Sequence, residues 1–257
     1  MKSNGPLAAL FGLGIYRLTP LRKRLWKLID EPMLARVAEE RRAGRRLYIG
    51  TTDLTRGRVV TWNMGAIAAD DSDDRRERYI SVLLASSSVP GVIEPVVVRD
   101  EQGNSKLHGD GATKVPLLFE PTMMDPRCLG RATVWAIANG HVCSEGATVV
   151  APKRTLAVAR RGVSQLMRRF LYTVTLATAD RVRETVTRFR LLALPDTVPE
   201  AISPFEFVPS EMAALYEEGV RLGRNPAAWT SAPNASQAHG TRTGQNTRPK
   251  TIQTIGR

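Results

Sequence analysis

Cysteine is nearly absent from this sequence. The 257 residues contain only two, Cys128 and Cys143, which is too few for a disulfide framework. Neither belongs to a Cys-x-x-Cys or Cys/His zinc pattern, and His141 and His239 have no partners at ligand spacing. We therefore predict no metal site, and we interpret both cysteines as buried or incidental thiols of a reducing compartment.

Long hydrophobic runs are missing as well. The longest apolar run near the start, residues 7–15, is too short to span a bilayer. Only one basic residue, Lys2, precedes this run and no clear small-residue cleavage site follows it, which argues against a secretory signal peptide. We predict a cytoplasmic protein whose membrane contact, where there is any, is peripheral.

Aromatic residues make up only 6% of the chain, whereas the formal net charge reaches +12. Such a positive field favours anionic partners, either phospholipid headgroups or nucleic acid. Stacking platforms for bases are scarce and no recognised nucleic-acid motif accompanies the charge, so nucleic acid is the least favoured partner. The basic cluster at residues 41–46 and the arginine pairs at 160–161 and 168–169 are interpreted first as solvated surface, and alternatively as contacts with an anionic membrane.

The remaining composition, 42% hydrophobic and 24% charged, is that of a globular protein with one large core or two modest ones. From Ser231 onward the chain is dominated by Ser, Thr, Asn, Gln, Gly and Arg, which cannot build a core. We predict a single folded domain over residues 1–230 and a disordered polar and basic tail over residues 231–257.

Hydrophobic periodicity predicts alternating helices and strands, which favours an α/β fold. The predicted helices are residues 20–43 with a break near Pro32 and a stop at Gly44, 75–85 capped by Ser72, 154–190 with an apolar stripe assigned to core packing, and 210–222 capped by Ser210. The predicted strands are residues 47–52 and 59–63 as a hairpin or neighbouring pair, 92–98, 133–138 and 191–194.

The residue that most needs an explanation is Asp110, which lies between Gly109 and Gly111 after an apolar run. Asp-Gly is a common turn dipeptide, so Asp110 taken alone is a turn former. Glycine on both sides permits left-handed or very tight backbone, and it lets other groups pack close to the carboxylate. The alternative is therefore an acid presented into a cleft.

Three stretches together resemble the patatin-like phospholipase family, in motif, order and spacing. They are LYIGTTDL at 47–54 with WNMG at 62–65, ASSSVPGVIEP at 85–95, and GDGA at 109–112 followed by VP at 115–116. The resemblance runs from about residue 11 to about residue 229.

This resemblance implies a three-layer α/β/α fold and a Ser-Asp dyad that hydrolyses phospholipid or another acyl ester, without metal or organic cofactor. Asp110 matches the family's acid, and Gly109, Gly111 and Ala112 match the loop that shapes its surroundings. A carboxylate within hydrogen-bond reach of a serine hydroxyl can act as its general base.

The serine nucleophile that the resemblance calls for is missing. No Gly-x-Ser-x-Gly elbow occurs; Ser105 and Ser164 have a glycine two residues before them but none two residues after. The glycine-rich oxyanion loop is absent too, since Gly-Leu-Gly at 12–14 is a poor match. We expect that Met1 falls after the elbow, and that this amino-terminally truncated portion of a longer hydrolase is inactive alone. The alternative is a non-catalytic protein of the same fold that binds a lipid surface or a partner.

Two further interpretations concern residues beside these motifs. The serines at 86–88 lack elbow glycines, and hydroxyls at a helix end usually bond to nearby backbone, so a nucleophile among them is disfavoured. His108 would share a face with Asp110 only if a strand ran through Gly109, and the resembled dyad uses no histidine. We therefore favour a strand-end or turn histidine over a member of a triad.

Overall fold

A computed structural model describes residues 16–128, 130–142, 155–185, 188–195, 198 and 208–233. Helices and strands are mixed along the chain, in agreement with the general α/β prediction. The chain divides into two compact units, Met1–Ala136 with Thr173–Phe189, and Ile137–Tyr172 with Arg190–Arg257. The predicted apolar run at 7–15, most of the predicted tail, Cys143 and His239 lie outside the described residues.

The first predicted helix is two helices, α1 (Thr19–Leu28) and α2 (Glu31–Arg42). The break falls at Asp30, whose Oδ1 accepts a hydrogen bond from the backbone N–H of Met33 at 2.9 Å and so caps α2. Gly44 follows α2 with a φ of 98°, a left-handed conformation that favours glycine. Both the interruption near Pro32 and the stop at Gly44 are confirmed.

The predicted hairpin is also confirmed, as β1 (Tyr48–Asp53) and β2 (Arg58–Asn63). The two strands are antiparallel, with Tyr48 opposite Asn63 and Asp53 opposite Arg58. Gly57, with a φ of 61°, lies in the turn between them. Local turn chemistry and β-rich flanks were sufficient to place this unit.

Two more strands, β3 (Val96–Arg99) and β4 (Ser105–Asp110), complete a four-stranded sheet of order β2-β1-β4-β3. The three strand pairs are antiparallel. The predicted strand over 92–98 begins too early, because Ile93 forms an isolated parallel bridge with Tyr16 and Pro95 has no N–H for a ladder.

Helix α4 (Arg75–Ala85) has its predicted bounds, but its predicted cap is wrong. The hydroxyl of Ser72 donates to Asp70 Oδ2 at 2.9 Å, and the helix starts after Asp74 without a side-chain cap. A short helix that the sequence did not indicate, α3 (Met64–Ala68), precedes it.

The hydrophobic core of the first unit is formed by α4, in which all residues from Arg78 to Val82 are buried, with α1–α3 and the sheet. Its most deeply buried apolar side chains are Leu34, Met64, Ile80, Val82, Leu84, Ala85 and Val98. The apolar residues predicted to lie on one face of the first helix are not all part of this core: Ile29 is buried, whereas Leu28 is 60% exposed.

The remaining elements are β5 (Thr133–Ala138), α5 (Thr155–Thr185), β6 (Arg188–Ala193) and α6 (Pro209–Arg224), with β5 and β6 in a two-stranded sheet. The strand over 133–138 is confirmed. The predicted long helix ends too late, because α5 ends at Thr185 and the residues from Arg188 to Ala193 form β6. The Ser210 cap is wrong: Pro209, with its preset φ, begins α6 after Val208, so Ser210 lies inside the helix.

The apolar stripe predicted as core on the long helix is only partly buried. Val182 is 0% exposed and Phe189, now in β6, is buried, but Val163 is 60% and Met167 44% exposed. Periodicity identifies an apolar face without showing whether another element covers it. Cys128 is exposed, so of the two interpretations given for the cysteines, a buried or an incidental thiol, the buried one does not apply to it.

Candidate active site

Asp110 is the last residue of β4, directly opposite Thr51 of β1. Its backbone N–H donates to the carbonyl of Ser88 at 2.8 Å, and its carbonyl accepts from Thr52 Oγ1 at 2.9 Å. The backbone of the acid is therefore fixed by the segment after α4 on one side and by β1 on the other.

The Asp110 carboxyl group is half-buried and makes one hydrogen bond. Its Oδ1 accepts from the backbone N–H of Ala112 at 2.8 Å, at the start of a 3-10 turn over Gly111–Thr113. Burial raises the pKa of Asp110, and the Ala112 N–H offsets this only in part. Oδ1 therefore has the role expected of a turn-forming aspartate. Among the described residues, no donor reaches Oδ2.

The glycines beside the acid are required for space. A Cβ atom on Gly111 would lie 2.4 Å from the carbonyl oxygen of Gly50, so no side chain fits there. A Cβ atom on Gly109 would lie 3.2 Å from both Pro90 Cγ and the Ser88 carbonyl oxygen, which is tight. Neither glycine is among those with positive φ, so the expected close packing is present, and of the two backbone conformations that glycine permits the left-handed one is not used.

The serines of the second motif point their hydroxyls at the end of α4. Ser86 and Ser87 donate to the carbonyl of Leu83 at 2.9 and 3.2 Å, and the buried Ser88 donates to that of Leu84 at 2.8 Å. These bonds are the back-bonding geometry that the sequence favoured over a nucleophile.

The two serines that follow a single glycine are equally remote from the role of nucleophile. Ser105 is exposed at the other end of β4, about 17 Å along the strand from Asp110 at the usual rise per residue. Ser164 is exposed on α5. Among the described residues, no serine hydroxyl donates to the Asp110 carboxylate.

His108 shares a face of β4 with Asp110, because the strand does run through Gly109. Its buried ring is hydrogen-bonded through Nδ1 to Thr51 Oγ1 at 2.9 Å. The same hydroxyl oxygen accepts from the Trp62 indole N–H at 2.7 Å, so Thr51 joins the two rings in one buried hydrogen-bonded group. Burial lowers the pKa of His108, and the ring has a structural position in the strand rather than a bond to Asp110.

A second carboxylate, which the sequence did not single out, lies opposite His108. Asp53 ends β1 with 0% of its surface exposed, and its Oδ1 accepts from the backbone N–H groups of Thr55 and Arg56 at 3.0 and 3.1 Å. Burial acts to raise the pKa of Asp53, but these two N–H groups, His108 and Lys106 outweigh it and hold the pKa below its usual value. Asp53 is followed by Leu-Thr-Arg-Gly, and an Asp at the start of a turn that ends in Gly is a signal that could have indicated this role.

Three further features would bear on function: a metal site, an oxyanion loop and a membrane-spanning helix. The described ranges contain no group of three or more His, Cys, Asp or Glu side chains arranged to hold a metal ion. The Gly-Leu-Gly segment at 12–14 falls outside them. None of their helices has both the length and the apolar character needed to cross a bilayer.

The arrangement thus offers one oriented, half-buried carboxylate with an oxygen available for a proton, at the end of a strand whose neighbours fix it from both sides. No family model, curated protein or solved structure matches this chain.

Proposed function

We propose that this chain carries the acid of a Ser-Asp dyad in a patatin-like lipid acyl hydrolase, with Asp110 as the general base. The observation that carries the proposal is the Asp110 carboxyl group, with Oδ1 held by Ala112 and no donor on Oδ2 in the described part of the chain. Because burial raises its pKa, this carboxylate is a stronger base than a solvated aspartate.

The proposed chemistry is acyl transfer through serine. Asp110 takes the proton of a serine hydroxyl while the hydroxyl oxygen bonds to the ester carbonyl carbon. The bond to the alcohol then breaks, the alcohol leaves with the proton held by Asp110, and the acyl group remains on serine. Water, deprotonated by Asp110, then releases the fatty acid, and the serine recovers its proton.

The nucleophile in this scheme comes from outside the 257 residues, which contain no Gly-x-Ser-x-Gly. The 257-residue chain by itself is therefore expected to be inactive. The three-layer α/β/α architecture, the phospholipid or other acyl ester substrate, and operation without metal or organic cofactor are parts of the same proposal. Location in the cytoplasm, with peripheral contact with an anionic membrane, completes it.

The test compares two polypeptides in an assay with a chromogenic short-chain acyl ester. The 257-residue chain is expected to show no turnover above buffer. A polypeptide extended upstream of Met1, with an in-frame Gly-x-Ser-x-Gly, is expected to be active, and Asp110→Asn should lower its kcat by at least about 10²-fold because the base is lost.

The matched control is Asp73→Asn, which neutralises an exposed carboxylate and should leave turnover unchanged. Full activity of the extended Asp110→Asn variant would refute the proposal. Turnover by the 257-residue chain that disappears in Asp110→Asn would refute its inactivity alone.

The second candidate is a non-catalytic protein of the same fold that binds a lipid surface or a partner. It is favoured by one observation: the serine hydroxyls of the segment whose backbone bonds to Asp110 donate to helix carbonyls instead. Sedimentation with anionic liposomes separates the two candidates, since salt-sensitive binding without ester turnover in the extended polypeptide supports the second.

A further inference from the structure

A cavity of about 370 Å³ is lined by residues of α2, the segment that follows it, and α3. This volume lies within the range of roughly 300–1,000 Å³ typical of small-molecule pockets. Its lining does not include Asp110 or any residue of β4, so it is separate from the candidate active site.

The polar lining of this cavity is strongly basic. Four arginines contribute to it, against a single acid, Glu40. Arg45 is paired with Glu40 at 3.2 Å, and Arg46 donates through Nη1 to the carbonyls of Arg41 and Arg45 at 2.9 and 2.8 Å. In the described part of the chain, no acidic side chain pairs with Arg36 or Arg41.

Arg41 is held in place by a glycine. A Cβ atom on Gly65 would lie 3.0 Å from Arg41 Cβ, 3.1 Å from Cδ and 3.2 Å from Cγ, so the stem of Arg41 packs on bare backbone. Fixing the stem reduces the side-chain entropy that a guanidinium loses when it binds an anion.

The rest of the lining is apolar. Met33 and Val37 lie one turn apart on α2, and Leu47, which is 47% exposed, precedes β1. Apolar surface beside guanidinium groups without acidic partners suits a ligand that is charged at one end only. A simple anion such as free phosphate would leave this apolar surface uncovered.

We propose that this cavity binds an amphiphilic anion, with its phosphate or carboxylate group on Arg36 and Arg41. The apolar chain of the ligand lies against Met33, Val37 and Leu47. The ligand is either a free amphiphile or the same chemical group presented by a lipid in a bilayer.

The experiment is calorimetric titration of the full 257-residue chain with dodecyl phosphate below its critical micelle concentration. Arg36→Ala and Arg41→Ala should each raise Kd by about tenfold, since each removes one charge-assisted contact. Arginine and alanine both favour helix, so these exposed substitutions are expected to leave folding intact.

The matched control is Arg42→Ala, which removes the same charge from the next residue of α2, outside the cavity lining. It should change Kd by less than about twofold, the size of a general field effect. Gly65→Ala provides a second test without any change of charge: it displaces the Arg41 stem and is expected to weaken binding.

Inorganic phosphate and vesicles complete the design. Phosphate should bind more weakly than dodecyl phosphate, because it cannot use the apolar wall. Vesicles of phosphatidylcholine with phosphatidylglycerol identify the source: binding with the same dependence on Arg41 indicates a bilayer lipid, and binding of the monomer alone indicates a free amphiphile. Equal losses in Arg41→Ala and Arg42→Ala, or equal affinity for phosphate and dodecyl phosphate, would overturn the proposal.

Discussion

One aspartate lies at each end of the paired segment of β1 and β4. Their pKa values are shifted in opposite directions, and the extent of burial does not explain the difference. Asp53 is 0% exposed, yet its pKa is lowered; Asp110 is only half-buried, yet its pKa is raised. Asp53 accepts two backbone N–H groups and lies near two basic side chains, whereas Asp110 accepts a single N–H.

The comparison indicates that the number of donors decides which aspartate is structural. Hydrogen bonds to the ionised form outweigh the cost of removing a charge from water once two donors and nearby cations are present. With one donor, that cost dominates. Asp53 is therefore held as an ionised anchor of the β1–β2 turn, while Asp110 keeps the affinity for a proton that a general base requires.

The largest effect is expected from breaking the Asp110 end with Gly111→Ala. Its Cβ would overlap the Gly50 carbonyl at 2.4 Å, so β1 and the acid have to move apart. We expect a loss of about 3 kcal/mol in the free energy of unfolding, the upper part of the usual range for overpacking. Gly109→Ala, with its nearest contacts at 3.2 Å, is the control and should cost about 1 kcal/mol. Urea unfolding measures both, and equal losses would contradict the steric argument.

Breaking the Asp53 end with Asp53→Ala is expected to cost about 2 kcal/mol, because the turn N–H groups lose a charged acceptor. Asp100→Ala is a control, since Asp100 Oδ1 also accepts two backbone N–H groups, from Gln102 at 3.1 Å and Asn104 at 2.8 Å, in a side chain that is 22% exposed rather than fully buried. Its loss should be clearly smaller. A loss as large as that of Asp53→Ala in urea unfolding would show that burial of Asp53 adds nothing.

Neutralising each acid should reveal opposite pH trends. The raised pKa of Asp110 means that the native state binds more protons than the unfolded state, so Asp110 costs stability as the pH rises from 3.8 through its folded pKa. Asp110→Asn should therefore gain stability relative to the parent chain over that interval. The lowered pKa of Asp53 reverses the sign: its ionised carboxylate stabilises the native state above pH 3.8, and this stabilisation is lost as the pH falls from 3.8 through the folded pKa. Asp53→Asn should therefore be less stable than the parent chain above pH 3.8. Urea midpoints between pH 3 and pH 7 that follow the same trend in both variants would contradict the comparison.

The smallest expected effect is on His108, which connects the two ends. Burial lowers its pKa below 6.5 while the charge of Asp53 acts to raise it. We expect Asp53→Asn to lower the pKa of His108 further. The imidazole resonance in an NMR titration measures it, with the chain in denaturant as the reference. Stability from neutral His108 is present above pH 6.5 and decreases as the pH falls toward the folded pKa. A higher pKa in the variant would be inconsistent with this coupling.

Sequence alone was sufficient where the signal is local. The β1–β2 hairpin follows from β-rich runs around Gly57, and the end of α2 follows from Gly44. It is insufficient where neighbouring side chains compete or where a distant segment decides. The sequence predicts Ser72 as a cap, but its hydroxyl is engaged by Asp70, two residues earlier, which is paired with Arg78 of α4.

The same division applies to the candidate site. Asp110 was identified from its motif, but the reason for Gly111 is the Gly50 carbonyl of a different strand. The two donors to Asp53 lie in the adjacent turn and could be anticipated from the sequence, whereas its histidine neighbour is defined by strand pairing. The arginine cluster was visible in the sequence, whereas the contact of Arg41 with Gly65 exists only in the folded chain.

The contact between Gly111 and Gly50 constrains residue 111 through the fold, independently of any chemistry at residue 110. If the proposed hydrolysis holds, a relative without it has no need for a carboxylate at 110, but position 111 remains closed to every other amino acid as long as β1 pairs with β4. Under that proposal, relatives that keep glycine at 111 but lose the acid at 110 would be non-catalytic, and relatives that keep both would be hydrolases.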